Sequence, residues 1–253
     1  MLLFALPLYA IALVYGAAAL LPAIYLMKYI YRKDTVEKEP PMLLMYGVIA
    51  ALISIILENI GTKVLNSLMD QSTVGYTLVL AFAVVAVVEE GAKFAMLKRR
   101  TWNDMNFNYR FDGIVYAVFV SLGFAAFENI GYVLGYGLSV APARALLAIP
   151  GHMCFGVFMG TFYGRARQCR VWGHKAEERA NLWLGYIAAV LLHAVYNVAS
   201  VYAGVYLSSV AAHLESFALL FIVMLLAFLI CVIFTLSAAS RTYRAYADAG
   251  LPS

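Results

Sequence analysis

The chain has 253 residues, 64% of them apolar and only 13% charged. Soluble globular chains run at about half apolar and a quarter charged, so this composition excludes a water-soluble globule and points to an integral membrane protein in contact with the lipid bilayer. The net charge of +4 is placed as membrane orientation requires and implies no nucleic-acid partner. Cys154, Cys169 and Cys231 lack paired spacing, which gives neither a disulfide framework nor a thiolate zinc site.

Hydropathy predicts an all-α, polytopic membrane helix bundle of about seven transmembrane helices, near 3–28, 42–66, 74–97, 114–138, 143–164, 182–206 and 214–238. The first apolar run is too long for a signal peptide and is read as a retained span. Basic residues cluster after spans one (Lys28, Arg32, Lys33, Lys38), three (Lys98, Arg99, Arg100, Arg110), five (Arg165, Arg167, Arg170, Lys175, Arg179) and seven (Arg241, Arg244). The connections 67–73, 139–142 and 207–213 hold none, with Arg144 just beyond the second. The positive-inside rule therefore places the N-terminus outside and the C-terminus in the cytoplasm. The whole chain, 1–253, reads as one membrane domain, with a loosely ordered cytoplasmic tail over 240–253.

Span one, broken by Pro22, reads as packing and anchorage. Pro40 and Pro41 start span two, which carries Glu58 and Asn59 inside its apolar run, with Lys63 snorkelling towards the outer interface. Glu58 is as well suited to a hydrogen-bonded structural role as to a site. Span three contains Ala86-Val-Val-Glu-Glu-Gly-Ala-Lys-Phe94, where Glu89 and Glu90 lie four and three residues before Lys93, within its helical reach. Ionisable groups at that depth cost about 3 kcal/mol each and by default mark function.

Span four opens with Asp112 as its expected N-cap and runs through Gly123, Ala125 and Ala126, small enough for a close helix contact, to Glu128-Asn129. Span five carries Pro150-Gly151-His152, with Pro150 loosening the ladder beside the imidazole, and then a glycine row at 156, 160 and 164 for tight packing. Span six places His193 and Asn197 on one face. Span seven has no charge within its apolar run.

At ~1.5 Å per residue, Glu89 lies roughly 13 Å from the cytoplasmic end of its span, and His152 and His193 roughly 15 Å into theirs. All three fall near the middle of a hydrocarbon core about 30 Å thick. Glu128 lies some 20 Å from the cytoplasmic end, somewhat outward. Glu89, Glu90, Glu128, His152, His193 and Asn197 are thus expected to meet in one wet cavity. Carboxylates with imidazoles there suit general acid–base activation of water, and His193 with Asn197 suits donation to an oxyanion. Glu89, Glu128, His152 and His193 are also a ligand set for a catalytic zinc, although no HExxH spacing is present and no cofactor is required by the sequence.

Val87-Val-Glu89-Glu90-Gly-Ala-Lys93 resembles the EExxK pattern of the PrsW family of intramembrane proteases, and Phe124-Ala-Ala-Phe-Glu128 its FxxxE pattern. Gly151-His152 through Gly160 is similar to the family's histidine-bearing segment. His193-Ala-Val-Tyr-Asn197 resembles HxxxD with Asn at the last position, as in the related CAAX prenyl-endopeptidases. The four motifs occur in order over about 86–200. The resemblance implies a glutamate-dependent endopeptidase of a prokaryotic cytoplasmic membrane, whose partner is a membrane-anchored protein substrate such as a transmembrane anti-sigma factor. It implies Glu89 as the water-activating base, Glu90, Lys93 and Phe124 as its support, Glu128 and His152 completing the water site, and His193 with Asn197 serving the oxyanion; Glu89 and Glu90 could exchange. The same superfamily includes a noncatalytic scaffold. A membrane scaffold and a proton-coupled transporter, which would use the same carboxylates as a relay, therefore stand as alternatives. The oligomeric state is left open.

Overall fold

An apolar chain in lipid satisfies its backbone most simply as helix, and the described residues contain helices, short turns and no strand. The computed structural model describes residues 20–21, 23–29 and 40–209, with side chains over 42–198 of the last stretch. The expected seventh span, 214–238, and the tail over 240–253 lie outside the described residues, as does most of the first span. Five long helices follow in order. Helix α1 is Pro40–Leu68, and α2 runs without a break over 74–101. Helix α3 is Arg110–Tyr136, α4 covers Leu138–Val171 and α5 is Lys175–Ser209.

Among the described residues, four helices are long and apolar enough to cross a membrane: Met42–Leu68, Arg110–Tyr136, Leu138–Val171 and Lys175–Val198. The expected span at 74–97 falls within α2, which is not among those four; a π-helical segment, Leu80–Ala86, divides it into α-helical pieces of 6 and 15 residues. Helix α3 is the central element, buried along most of its length, whereas α1 and α5 leave most of theirs uncovered. Their uncovered faces carry Ile49, Ile56, Ile60, Trp183, Ile187 and Leu191. Apolar faces of that extent, uncovered among the described residues, suit contact with lipid.

Small residues set the spacing around α3. A Cβ added at Gly160 would lie 2.5 Å from the Gly113 carbonyl oxygen and 2.5 Å from Ile114 Cα, and one at Gly156 2.8 Å from Ser121 Oγ. The glycine row of α4 therefore rests directly on α3. A Cβ at Gly123 would meet the backbone of Leu44 at 2.8 Å, so α1 approaches α3 equally closely. Gly137, with φ of 82°, makes the reversal from α3 into α4 that an L side chain would resist.

Two local expectations are corrected. Asp112 is not the N-cap of α3. The helix begins earlier, after Tyr109, and the Asp112 carboxylate reaches back to accept from the backbone N–H of Asn108 and Tyr109 at 2.9 and 2.8 Å. The loosened turn of α4 is a π segment over Arg144–Ala148, one turn before Pro150, which instead starts the α-helix that follows. Proline lacks an N–H and has φ preset for a first turn, so it suits that position.

The α2–α3 connection is tied to α4. The Arg167 guanidinium donates to the carbonyls of Trp102, Asp104 and Phe107 at 2.9–3.2 Å. Although burial opposes it, the backbone N–H of Asn106 and the Arg100 guanidinium at 2.6 Å hold the Asp104 carboxyl below its usual range. This clamp fixes where α2 ends and hence the axial position of its acid pair.

Candidate active site

Four helices deliver polar side chains to one buried point. Helix α2 supplies Glu89, Glu90 and Lys93 just after its π segment, and α4 supplies His152 just after its own. An extra residue in a helix rotates everything after it by about 100°, and such bulges recur at functional sites. Tyr186 of α5 donates to the carbonyl of Val87 at 3.0 Å, tying α5 to α2 next to the carboxylates. Helix α5 supplies His193 and Asn197, and α3 supplies Phe124 and Glu128.

Glu89, Glu90, Lys93, His152 and His193 are all buried. Lys93 Nζ donates to Glu90 Oε1 at 2.8 Å and Glu89 Oε2 at 3.2 Å, and stands 3.0 Å from His152 Nδ1. It also lies 3.9 Å from the centroid of the Phe124 ring. His193 Nδ1 is 2.9 Å from Glu90 Oε1 and 3.9 Å from Glu89 Oε2. The two imidazoles meet edge to face with centroids 5.3 Å apart, and Phe155 stacks on His193 at 4.9 Å.

The far edge of His152 fixes its tautomer. Nε2 is 3.0 Å from Glu128 Oε2, an oxygen that also accepts from Arg144 at 2.8 Å. A carboxylate only accepts, so Nε2 carries the proton and the Nδ1 lone pair faces Lys93. Arg144 also donates to Asn129 Oδ1 at 2.7 Å and covers the Tyr132 ring at 3.7 Å.

A cavity of about 730 Å³ opens beside this cluster, lined by Glu58, Glu89, Phe124, Glu128, His152, His193 and Asn197 among others. Its size falls in the range of ligand pockets. Glu89 is on its wall and Glu90 is not. Every expected site residue is therefore in the cluster or on the cavity wall, Glu58 and Asn197 on the wall only. Arg144 was not foreseen; in the sequence it is a lone cation at the edge of an apolar run, read as lying just beyond the 139–142 connection. Phe155 and Tyr186 were also missed, because nothing distinguishes them from core aromatics.

The sequence model of the family described as "PrsW family intramembrane metalloprotease" matches residues 39–236. The chain belongs to that family. Among curated proteins it is similar to the protein named "Protease PrsW" in several bacteria. The one of Oceanobacillus iheyensis is 30% identical over 181 residues, covering 72% of this chain and 80% of that protein. The one of Geobacillus kaustophilus is 31% identical over 185 residues, covering 72% and 77%. That of Clostridioides difficile is 32% identical over 187 residues, covering 71% and 76%. No solved structure matches the chain. Membership of the PrsW family makes the chain an integral membrane protein and a protease, acting on protein in a membrane.

The family's description as metalloproteases gives the donor set a test. Glu89, Glu90, His152 and His193 each offer a ligand atom, all within 4.8 Å of one another. Two carboxylates and two imidazoles suit zinc and similar divalent ions. Glu90 Oε2 is buried without a hydrogen-bond partner among the described residues, and a buried carboxylate oxygen left unpaired is costly. The residues fit a divalent metal. Glu90, rather than the expected Glu128, completes the four. Glu128 comes from α3 on the opposite edge of the His152 ring, where it meets Nε2 instead of the Nδ1 that faces the other donors.

Proposed function

We propose that this chain is an endopeptidase that hydrolyses peptide bonds of membrane-anchored protein substrates at the cluster of Glu89, Glu90, His152 and His193. The observation that carries the reading is the meeting of two adjacent carboxylates with imidazoles from two other helices, buried beside a cavity on whose wall Glu89 stands. Glu90, His152 and His193 would hold a divalent ion, with zinc the one this donor mixture favours. Such an ion would supply Lewis acidity towards the scissile carbonyl and ease the ionisation of water.

Glu89 faces the cavity and takes the proton from the attacking water, returning it to the leaving amine. Glu90 sits behind it, held by Lys93 and His193. Glu128 orients His152, as carboxylates do for metal-ligating histidines. The wall position of Asn197 suits an amide N–H directed at the oxyanion, with the His193 ring alongside. Glu58 and Phe124 shape the wall.

The same reading places the chain as a single bundle of seven spans in a prokaryotic cytoplasmic membrane, N-terminus outside and C-terminus inside. The basic residues after α2 and α4 support that orientation. A substrate such as a transmembrane anti-sigma factor fits this chemistry.

The test is reconstitution of the purified chain in liposomes with a single-span reporter. The expected result is cleavage within or beside the lipid-embedded segment, lost on thorough chelation and restored by a divalent ion. Absence of cleavage across a panel of membrane-anchored reporters would count against the peptidase. Cleavage indifferent to chelation would remove the metal and leave the acid–base pair.

A further inference from the structure

The Lys93 ammonium is too well placed among the metal donors to be only a counter-ion. It touches two of the three proposed ligands, Glu90 Oε1 at 2.8 Å and His152 Nδ1 at 3.0 Å, and the proposed base, Glu89 Oε2, at 3.2 Å. The His152 lone pair points at it, because Glu128 on the other ring edge claims the proton. A zinc ion held by Glu90 Oε1 and His152 Nδ1 would need both at about 2.0–2.2 Å, in the space that Nζ now takes between them. Two cations do not occupy one position in a low-dielectric interior, and their repulsion across a few ångströms is large there.

We propose that Lys93 and the divalent metal share one position, so that the ammonium is a built-in stand-in that loading must displace. This rests on the metal-binding reading above. The lysine has somewhere to go. Its side chain is a flexible four-carbon stem, Nζ already lies over the Phe124 ring at 3.9 Å, and Phe124 is on the cavity wall. A move outward across that ring keeps a cation–π contact and brings the charge to the cavity. Without metal, the ammonium holds the two carboxylates and His152 together and prevents their mutual repulsion from opening the site. With metal, the released ammonium stands at the cavity edge, where it meets substrate.

The experiment uses the full chain in detergent and zinc alone as the probe. Affinity is read by competition with a chelating dye for the unsubstituted chain, Lys93→Met and His152→Ala. Lys93 acylation by a small amine-reactive reagent is read by mass spectrometry with and without zinc. Shared occupancy predicts at least ten-fold tighter zinc binding for Lys93→Met, and several-fold faster acylation of Lys93 in the zinc-loaded unsubstituted chain. Tighter binding with acylation unchanged by saturating zinc means a charge effect at a distance and overturns the proposal. Affinity within two-fold of the unsubstituted chain, or weaker, in a folded Lys93→Met protein also overturns it. If that variant does not fold, the acylation result decides alone. Zinc bound equally by His152→Ala, or by none of the three proteins, places no metal among these donors and overturns the metal reading itself.

Discussion

His152 is the residue through which most of the site is coupled. One ring edge meets Glu128 and, through it, Arg144; the other meets Lys93 and the acid pair. Replacing Glu128 by Gln weakens the hold on the Nε2 proton and leaves Arg144 without its anionic partner. Loss of such an outer-shell carboxylate commonly costs 10–100-fold in metal affinity. We expect a loss of that order for Glu128→Gln in equilibrium dialysis, with the melting temperature shifted little because Glu128 is partly exposed. Unchanged affinity would detach Glu128 from the metal site. The individual polar residues were legible in the sequence because charge in an apolar run is conspicuous and i, i+3 and i+4 spacing shows which groups reach each other. Which edge of His152 each partner meets was not, since that depends on the rotation of α4 about its axis.

At the scale of the helices, glycine plays two separable parts. At Gly160 a methyl group would press on backbone atoms of α3 at 2.5 Å, with no flexible side chain to yield, whereas at Gly131 nothing lies within 4 Å. Gly160→Ala is expected to destabilise by about 1–3 kcal/mol or more, as overpacking does. Gly131→Ala should be neutral or stabilising by up to about 1 kcal/mol from helix propensity. Thermal unfolding in detergent, compared between the two variants, checks both; equal effects would mean that α3 and α4 do not touch along this row. The glycine row was readable because its every-fourth spacing survives any choice of helix boundary. The π segments were not, because one extra residue leaves hydropathy unchanged while turning Glu89 and His152 to new directions. Asp112 shows the same limit: a capping role was foreseen, but the turn it serves lies three residues earlier.

For the whole molecule, the outward apolar faces of α1 and α5, the buried α3 and the charged cluster among the helices describe a bundle that is dry towards lipid and polar within. Buried charges persist only when paired and hydrogen-bonded. Here Lys93 and Arg144 are set against Glu89, Glu90 and Glu128. That leaves one formal negative charge in excess when the histidines are neutral, a balance that favours an incoming cation. Composition alone gave the helical membrane class, and motifs spread over four helices gave the family. That those motifs meet was expected from their shared depth along the spans; which atoms face one another there depends on helix packing, which neither hydropathy nor spacing determines.

The most direct test compares Glu89→Gln with the unsubstituted chain in one liposome preparation, measuring cleavage of a single-span reporter, bound metal and thermal stability together. Glu89 is the carboxylate on the cavity wall, so its amide is expected to lower turnover by about a thousand-fold, within the 10²–10⁴ range typical of general acid–base catalysis, with metal content and melting temperature near those of the unsubstituted chain. Turnover within a few-fold of the unsubstituted chain, in a variant equally folded and equally loaded, would contradict the assignment of hydrolysis to this cluster.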